Sequence, residues 1–198
     1  MLTLTDGRSQ LEDAVRYALA ISPHVTPDLL EGPTPCASWD LRMLLDHLNE
    51  SVGVLAEGLA TGSLSAEPAA AAPDAITDRV VALRLRCARL LTACTTAPAG
   101  QLVTLGAYDL TASLMSCAGA IEVAVHAWDI AAACGSRQPI PSALAERMLQ
   151  IAPLLVTDAT RAGLFADPVP APASSTPGDR LVALLGRHPA WQVPATPR

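Results

Sequence analysis

Aromatic residues are scarce in this chain: one Phe, two Tyr and three Trp make up 3% of its 198 residues. Since aromatic and β-branched side chains are the usual material of strands, their shortage argues against a large β-sheet. Hydrophobic residues nevertheless reach 51%, and much of this share is alanine and leucine, which are good helix formers. The composition therefore predicts an all-α protein, and the length predicts a single domain.

Basic residues are also few, with 13 Lys and Arg against 19 Asp and Glu, and they form no cluster along the chain. The net charge of −6 argues against a nucleic-acid partner and against an anionic membrane surface. We expect a small-molecule substrate instead, bound by a monomer or a homodimer.

The cysteines and the N-terminus indicate a reducing compartment. Five Cys are present without any C-x-x-C spacing, which argues against both a disulfide framework and a structural zinc knot. The first residues, MLTLTDGRSQ, contain neither the basic nor the apolar region of a signal peptide. We therefore predict a cytoplasmic protein. Phosphate-binding glycine motifs and a G-x-S-x-G nucleophile motif are absent from the sequence.

Hydrophobic residues recur at helical spacing in five long segments. The second segment carries a leucine stripe, with Ser38 or Asp40 as the N-cap and Gly62 as the stop. We predict a helical bundle over 1–165, and a Pro-rich strap with a short last helix over 166–198. The helices are predicted at about 9–22, 41–60, 75–95, 110–134 and 142–164, with a linker at 63–75 and a short extended piece, LVTL, at 102–105.

The fourth segment is apolar enough to raise the alternative of a membrane span over 110–128. Thr111, Ser113 and Ser116 dilute its hydrophobicity, and it lacks basic flanks. Glu122 would also lie inside the bilayer, at a cost of several kcal/mol. A helix that is apolar on all sides is more simply a buried helix of a globular protein.

Glu122 and His126 are the two ionisable residues in the middle of this apolar segment. Four residues apart on a helix, they lie on the same face and can reach one metal ion. His47 lies to one side of the leucine stripe of the second helix, on a face with small residues. It is the natural third ligand among the four histidines of the chain.

Two imidazoles and one carboxylate with open positions are typical of a catalytic metal site, and they suit Zn²⁺, Ni²⁺ or Fe²⁺. Two alternatives stay open at this point. Glu122 and His126 can form a buried hydrogen-bonded pair without a metal, or the spacing can occur by chance on a solvated face.

Four other residues have weaker claims. Cys117 lies five residues before Glu122 and is a candidate to face the same cleft, although a buried Cys is usually a small apolar residue. Trp39 is interpreted as a packing residue. Arg180 and Arg187 are interpreted as solvated, with the alternative that either one holds an anionic group of the substrate.

Three segments of the chain together resemble a known family. They are PTPCASWDLRMLLDHL at 33–48, LGAYDL followed by EVAVHAWDIAAACG within 105–135, and GDRLVALLGRHPAW at 178–191. The chain resembles the DinB-like, mycothiol-dependent maleylpyruvate isomerase superfamily, and within it a group of actinobacterial metal-binding proteins. The resemblance extends over nearly the whole chain.

The resemblance implies a DinB-like four-helix bundle, here with one additional helix, a Pro-rich strap and a short C-terminal helix. It implies that His47, Glu122 and His126 are both the metal ligands and the catalytic residues. Zn²⁺ is then the favoured ion, with Ni²⁺ or Fe²⁺ as options, and mycothiol or another low-molecular-weight thiol is the expected co-substrate.

The implied activity is that of a thiol S-transferase or isomerase, in detoxification or natural-product metabolism, in which the metal activates a thiol or water to attack an electrophilic small molecule. Two alternatives remain. One is a helical bundle that binds a small molecule without turnover, and the other is a hydrolase or non-haem iron enzyme that uses the same three residues.

Overall fold

A computed structural model of the protein describes residues 7–64, 76–98, 100–162, 164–172 and 174–194, with the backbone alone at 76, 77 and 105. Most of the predicted linker at 63–75 lies outside these residues. The described helices are α1 (Gly7–Ile21), α2 (Leu41–Thr61), α3 (Ile76–Thr96), α4 (Ala112–Ala133), α5 (Ser142–Leu155), α6 (Asp158–Arg161) and α7 (Pro177–Leu184), with two 3-10 turns at Ser22–His24 and Pro27–Leu29 and two strands, β1 (Leu102–Leu105) and β2 (Tyr108–Thr111).

The first four helices pack into a bundle, in which α1 lies against α4 and α3, and α2 lies against α3 and α4. The leucine stripe of α2 forms a large part of the core, as the sequence predicts. Helix α5 packs against α4 and α1, and α7 packs against α5. The predicted fold class is thus confirmed as an all-α, DinB-like bundle with added elements. Fully buried leucines of α2 are Leu41, Leu44, Leu45, Leu48 and Leu59.

Both ends of α2 are capped by residues that the sequence predicts as caps. The side chain of Asp40 caps the N-terminus by accepting a hydrogen bond from the backbone N–H of Met43 at 2.8 Å. Gly62 ends the helix at φ +74°, a left-handed conformation that side chains with a Cβ rarely adopt. These two residues determine where α2, the helix that carries His47, begins and ends.

Helices α2 and α4 run antiparallel and approach closely at Gly119. A Cβ atom at this position would lie 2.6 Å from a methyl carbon of Leu55 on α2, which is too close for a real contact. His47 faces Glu122 one turn further along α4, at 2.7 Å between Nε2 and Oε1. The absence of a side chain at Gly119 therefore lets α2 and α4 lie close enough for His47 and Glu122 to meet.

The region before α4 differs from the prediction of a helix that begins near Leu110. The extended piece LVTL is confirmed as β1, and it pairs antiparallel with β2 at Tyr108–Thr111. Pairing with β1 keeps residue 110 extended, and Thr111 then caps α4 by accepting from the backbone N–H of Leu114 at 3.2 Å. Helix α4 consequently begins at Ala112.

The predicted fifth helix over 142–164 is two helices. Helix α5 ends at Leu155, two residues after Pro153, whose ring nitrogen cannot donate to the preceding turn. Thr157 and Thr160 then form a capping box that starts the short α6. The break redirects the chain so that the residues after α6 run beside α4 and α7, where they form one wall of the cleft described below.

Helix α4 is the one described helix that is long and apolar enough to cross a membrane. Within its most apolar window, 83% of the residues are buried inside the protein, which is the character of a core helix. The predicted division into a bundle over 1–165 and a C-terminal strap and helix over 166–198 stays a prediction.

Candidate functional site

Three polar side chains meet between α2 and α4. Nε2 of His47 lies 2.7 Å from Oε1 of Glu122, and Nε2 of His126 lies 3.4 Å from the same oxygen. The ligand atoms of the three residues all lie within 4.8 Å of one another. Ser51, one turn after His47, donates a hydrogen bond from Oγ to Oε1 of Glu122 at 2.9 Å. The i+4 spacing predicts Ser51 on the same helix face as His47, but its hydrogen bond with Glu122 could not be predicted from the sequence.

Glu122 is held as a carboxylate. Burial by itself would raise its pKa, but the hydrogen bond with His47, the nearby imidazoles and the Ser51 hydroxyl together lower the pKa to about 2. Each of these groups stabilises the charged form of the acid. A negative charge therefore lies between the two imidazoles throughout the neutral pH range.

The site opens into a cleft of about 640 Å³. The indole ring of Trp39 covers one side of it, with ring centroids 4.5 Å from His47 and 5.8 Å from His126. Trp39 packs, as predicted, but it packs against the two imidazoles and also lines the cleft. The walls of the cleft also contain Leu164 and Phe165, which follow α6. The cleft thus has a polar floor and largely apolar walls.

His126 has a second polar partner behind the cleft. Its Nδ1 atom lies 3.1 Å from Oδ2 of Asp129, which is fully buried one turn further along α4. Burial raises the pKa of Asp129, but the hydrogen bond with His126 and the charge of Arg187 outweigh this effect and lower it. Because an ionised carboxylate only accepts hydrogen bonds, Nδ1 of His126 carries a proton in this contact, and Nε2 is directed toward Oε1 of Glu122 at 3.4 Å.

Arg187 contradicts the interpretation of a solvated side chain or a free anion clamp. It is buried and donates from Nη2 to Oδ2 of Asp129 at 3.0 Å and to Sγ of Cys36 at 3.1 Å. Its Nη1 donates to the backbone carbonyl of Leu185 at 2.8 Å. Arg187 is buried because the carboxylate of Asp129 needs a partner inside the protein. Arg180 is exposed, in accord with the prediction.

Cys36, His126 and Asp129 form a second group of potential metal ligands. The guanidinium of Arg187 already supplies the positive charge there, since it contacts both the sulfur and the carboxylate. A second cation would have to displace it. We therefore regard this group as the inner support of the first site.

Cys117 does not face the cleft, and this prediction is wrong. The residue is fully buried, and a Cβ atom at Gly7 of α1 would lie 2.9 Å from its sulfur, so Cys117 points toward α1. The cysteine of the cleft is Cys36, whose Sγ lies 3.2 Å from Oδ2 of Asp129. Burial and the charge of Asp129 raise the pKa of the Cys36 thiol to about 12.

The donor set of His47, Glu122 and His126 fits a divalent cation. With bonds of about 2 Å, neighbouring ligand atoms around a tetrahedral ion lie about 3.3 Å apart. The spacing of 3.4 Å between His126 and Glu122 matches this value, and that of 2.7 Å between His47 and Glu122 requires a shift of less than about 1 Å. The ligand types suit Zn²⁺ and also Ni²⁺ or Fe²⁺.

Comparison with known sequences identifies a family and two similar proteins. Residues 11–131 match the family model of the mycothiol maleylpyruvate isomerase N-terminal domain. Two uncharacterized proteins of Mycobacterium tuberculosis, from strains CDC 1551 and H37Rv, are each 33% identical to the chain over 188 residues. Each alignment covers 91% of this chain and 96% of the relative.

The fold is similar to a crystal structure of the mycothiol-dependent maleylpyruvate isomerase, with a TM-score of 0.57 and 16% sequence identity. The superposition covers 97% of this chain and 83% of that one. At this identity the likeness concerns the fold alone, whereas the sequence match extends over most of the bundle, including all three residues at the floor of the cleft. The chain therefore belongs to the mycothiol maleylpyruvate isomerase N-terminal domain family.

Proposed function

We propose that the protein is a thiol-dependent transferase or isomerase that holds a divalent cation, with Zn²⁺ favoured, on His47, Glu122 and His126. One observation carries the proposal: three donor atoms from two antiparallel helices converge within 4.8 Å at the floor of an open cleft. The family and the related crystal structure, both named for mycothiol, support a low-molecular-weight thiol as the co-substrate. A bound divalent cation would lower the pKa of a thiol or water beside it.

The protein residues prepare this site in three ways. Ser51 and His47 hold Oε1 of Glu122 between the two imidazoles, so the carboxylate is oriented before any ligand arrives. Asp129 holds the His126 ring from behind. Trp39 limits access of water to both imidazoles from one side of the cleft.

The cleft also restricts the second substrate. Its volume of about 640 Å³ lies within the usual range for small-molecule sites. Among the described residues that line it, Arg187 is the only Lys or Arg, and its charge is taken up by Asp129. With no free side-chain cation among these residues and with Leu164 and Phe165 on the wall, the cleft favours an uncharged, largely apolar electrophile over a dicarboxylate. Such substrates suit detoxification or natural-product metabolism in the cytoplasm.

The test is thiol consumption by the purified, zinc-loaded protein with mycothiol and chlorodinitrobenzene as the electrophile. The proposal predicts a rate above that of the thiol alone, a loss of at least about tenfold in His47→Ala, and no loss in His24→Ala, which changes an exposed histidine outside the cleft. Removal of the ion with a chelator abolishes the rate and added Zn²⁺ restores it. Equal rates with and without the protein, for mycothiol and for other small thiols, would contradict the proposal.

A further inference from the structure

A buried polar chain connects the floor of the cleft to the C-terminal segment. It runs from Glu122 through His126 to Asp129 and from there to Arg187, with contacts of 3.4, 3.1 and 3.0 Å. Asp129 and Arg187 are 58 residues apart in sequence, and the former is fully buried. Two opposite charges inside a small apolar bundle are costly to bury, and the pair lies directly behind His126.

The direction of the hydrogen bonds in this chain is determined by Asp129. Its Oδ2 atom receives the Nδ1–H of His126, the thiol of Cys36 and an N–H of Arg187. The charge of Arg187 stabilises the ionised form of Asp129, and an ionised carboxylate oxygen only accepts hydrogen bonds. Nδ1 of His126 is thereby kept as a hydrogen-bond donor to Asp129, which leaves Nε2, the ring nitrogen that points to Glu122, as the atom that would bind an ion.

We propose that Asp129, held in place by Arg187, is a positioning residue that fixes the tautomer and ring orientation of His126 for ligand binding through Nε2. The inference rests on the proposed metal site and adds the residues that prepare it. A carboxylate behind a metal-ligating histidine increases the basicity of the ligand and prevents rotation of its ring. Asp129 is fully buried and does not line the cleft, so its effect passes through His126.

Arg187 extends this role to the segment that follows α7. Among the described hydrogen-bond and ion-pair partners of Asp129, Arg187 is the only positively charged side chain that lies outside α4. Docking of the segment after α7 and binding of an ion by His126 therefore stabilise the same arrangement. By linkage, each process favours the other by the same free energy.

The tautomer can be measured without any metal. In the metal-free wild-type protein, the ¹⁵N chemical shifts of the His126 ring are expected to show protonation at Nδ1. In Asp129→Asn the side-chain amide can donate to Nδ1, so the proton is expected to move to Nε2. A wild-type ring that carries a proton at Nε2 and none at Nδ1 would overturn the proposal, and this measurement does not depend on whether a variant folds.

The second measurement is the Zn²⁺ affinity by competition with a chromophoric chelator. Asp129→Asn and Arg187→Met are each expected to bind Zn²⁺ about 10- to 100-fold more weakly than the wild type. Arg180→Met, which removes an exposed arginine from α7, is the matched control and is expected to bind normally. Wild-type affinity in folded Asp129→Asn would overturn the positioning role. Failure of the wild type to bind Zn²⁺ would contradict the proposed function instead, and the tautomer of His126 would still decide this inference.

Discussion

His47 and Glu122 are 75 residues apart in sequence, yet Nε2 of the imidazole and Oε1 of the carboxylate are separated by 2.7 Å. The contact depends on how closely α2 and α4 approach, and that approach depends on the absence of a side chain at Gly119. The site is thus a consequence of helix packing as much as of its own polar residues.

Gly119→Ala is expected to destabilise the protein by about 1–3 kcal/mol, because a methyl group there overlaps the side chain of Leu55 in the core. Thermal unfolding should show a Tm lower by roughly 2–4 °C per kcal/mol for a chain of this length. The Zn²⁺ affinity should fall as well, because separation of the helices moves His47 away from Glu122.

The control for this substitution lies on the neighbouring helix. A Cβ atom at Gly53 of α2 would have no contact closer than 3.8 Å, so Gly53→Ala has room and is expected to stabilise the helix by about 0.5–1 kcal/mol. Both substitutions replace a helical glycine with alanine, but their expected effects on stability have opposite signs. Equal effects on Tm would contradict the role assigned to the close approach at Gly119.

The thiol of Cys36 should react slowly at neutral pH although it borders the cleft. With its pKa raised to about 12 by burial and by Asp129, the reactive thiolate is a small fraction at about pH 7 and increases about tenfold per pH unit. Alkylation by iodoacetamide, followed by peptide mass spectrometry on metal-free protein, should therefore still accelerate between about pH 9 and 10. In urea the pKa returns to about 8.5 and the rate should level off in that interval. If the alkylation rate of the folded protein also levels off in that interval, the thiol of Cys36 has an ordinary pKa, which would contradict this prediction.

Part of this site follows from the sequence alone. The i, i+4 spacing of Glu122 and His126 and the helical position of His47 predicted a shared site, because helix periodicity determines which side chains share a face. The capping residues of α2 were also predictable, since Asp40 and Gly62 act on the backbone next to them.

The remaining site residues could not be predicted in the same way. Cys36 and Arg187 meet Asp129 across 93 and 58 residues, and no local periodicity records contacts at such separations. The sequence favours a solvated Arg187, because arginine is rarely buried without a partner and the partner is not visible from the sequence. Strand β2 is not predictable for a related reason, since its extended form depends on pairing with β1.

A charge introduced into the cleft should change its substrate preference. Leu164 lines the cleft and is 75% exposed, so Leu164→Arg adds a cation there with little cost in stability. We expect the ratio of the rate with chlorodinitrobenzoate to the rate with neutral chlorodinitrobenzene to be higher for this variant than for the wild type. Leu154→Arg, at a leucine that is 67% exposed and outside the cleft lining, is the matched control. A wild-type preference for the carboxylated electrophile would contradict the charge character that we assign to the cleft.

The central claim is that His47, Glu122 and His126 hold one divalent cation, and calorimetric titration of the chelator-treated protein with Zn²⁺ tests it most directly. The account predicts one ion per chain for the wild type and for His24→Ala, and a loss of at least about tenfold in affinity for His47→Ala and for Glu122→Gln. Circular dichroism must show that each variant retains the helical fold. A wild-type protein that binds no Zn²⁺, Ni²⁺ or Fe²⁺, or one that binds Zn²⁺ equally well after His47→Ala, would contradict the account.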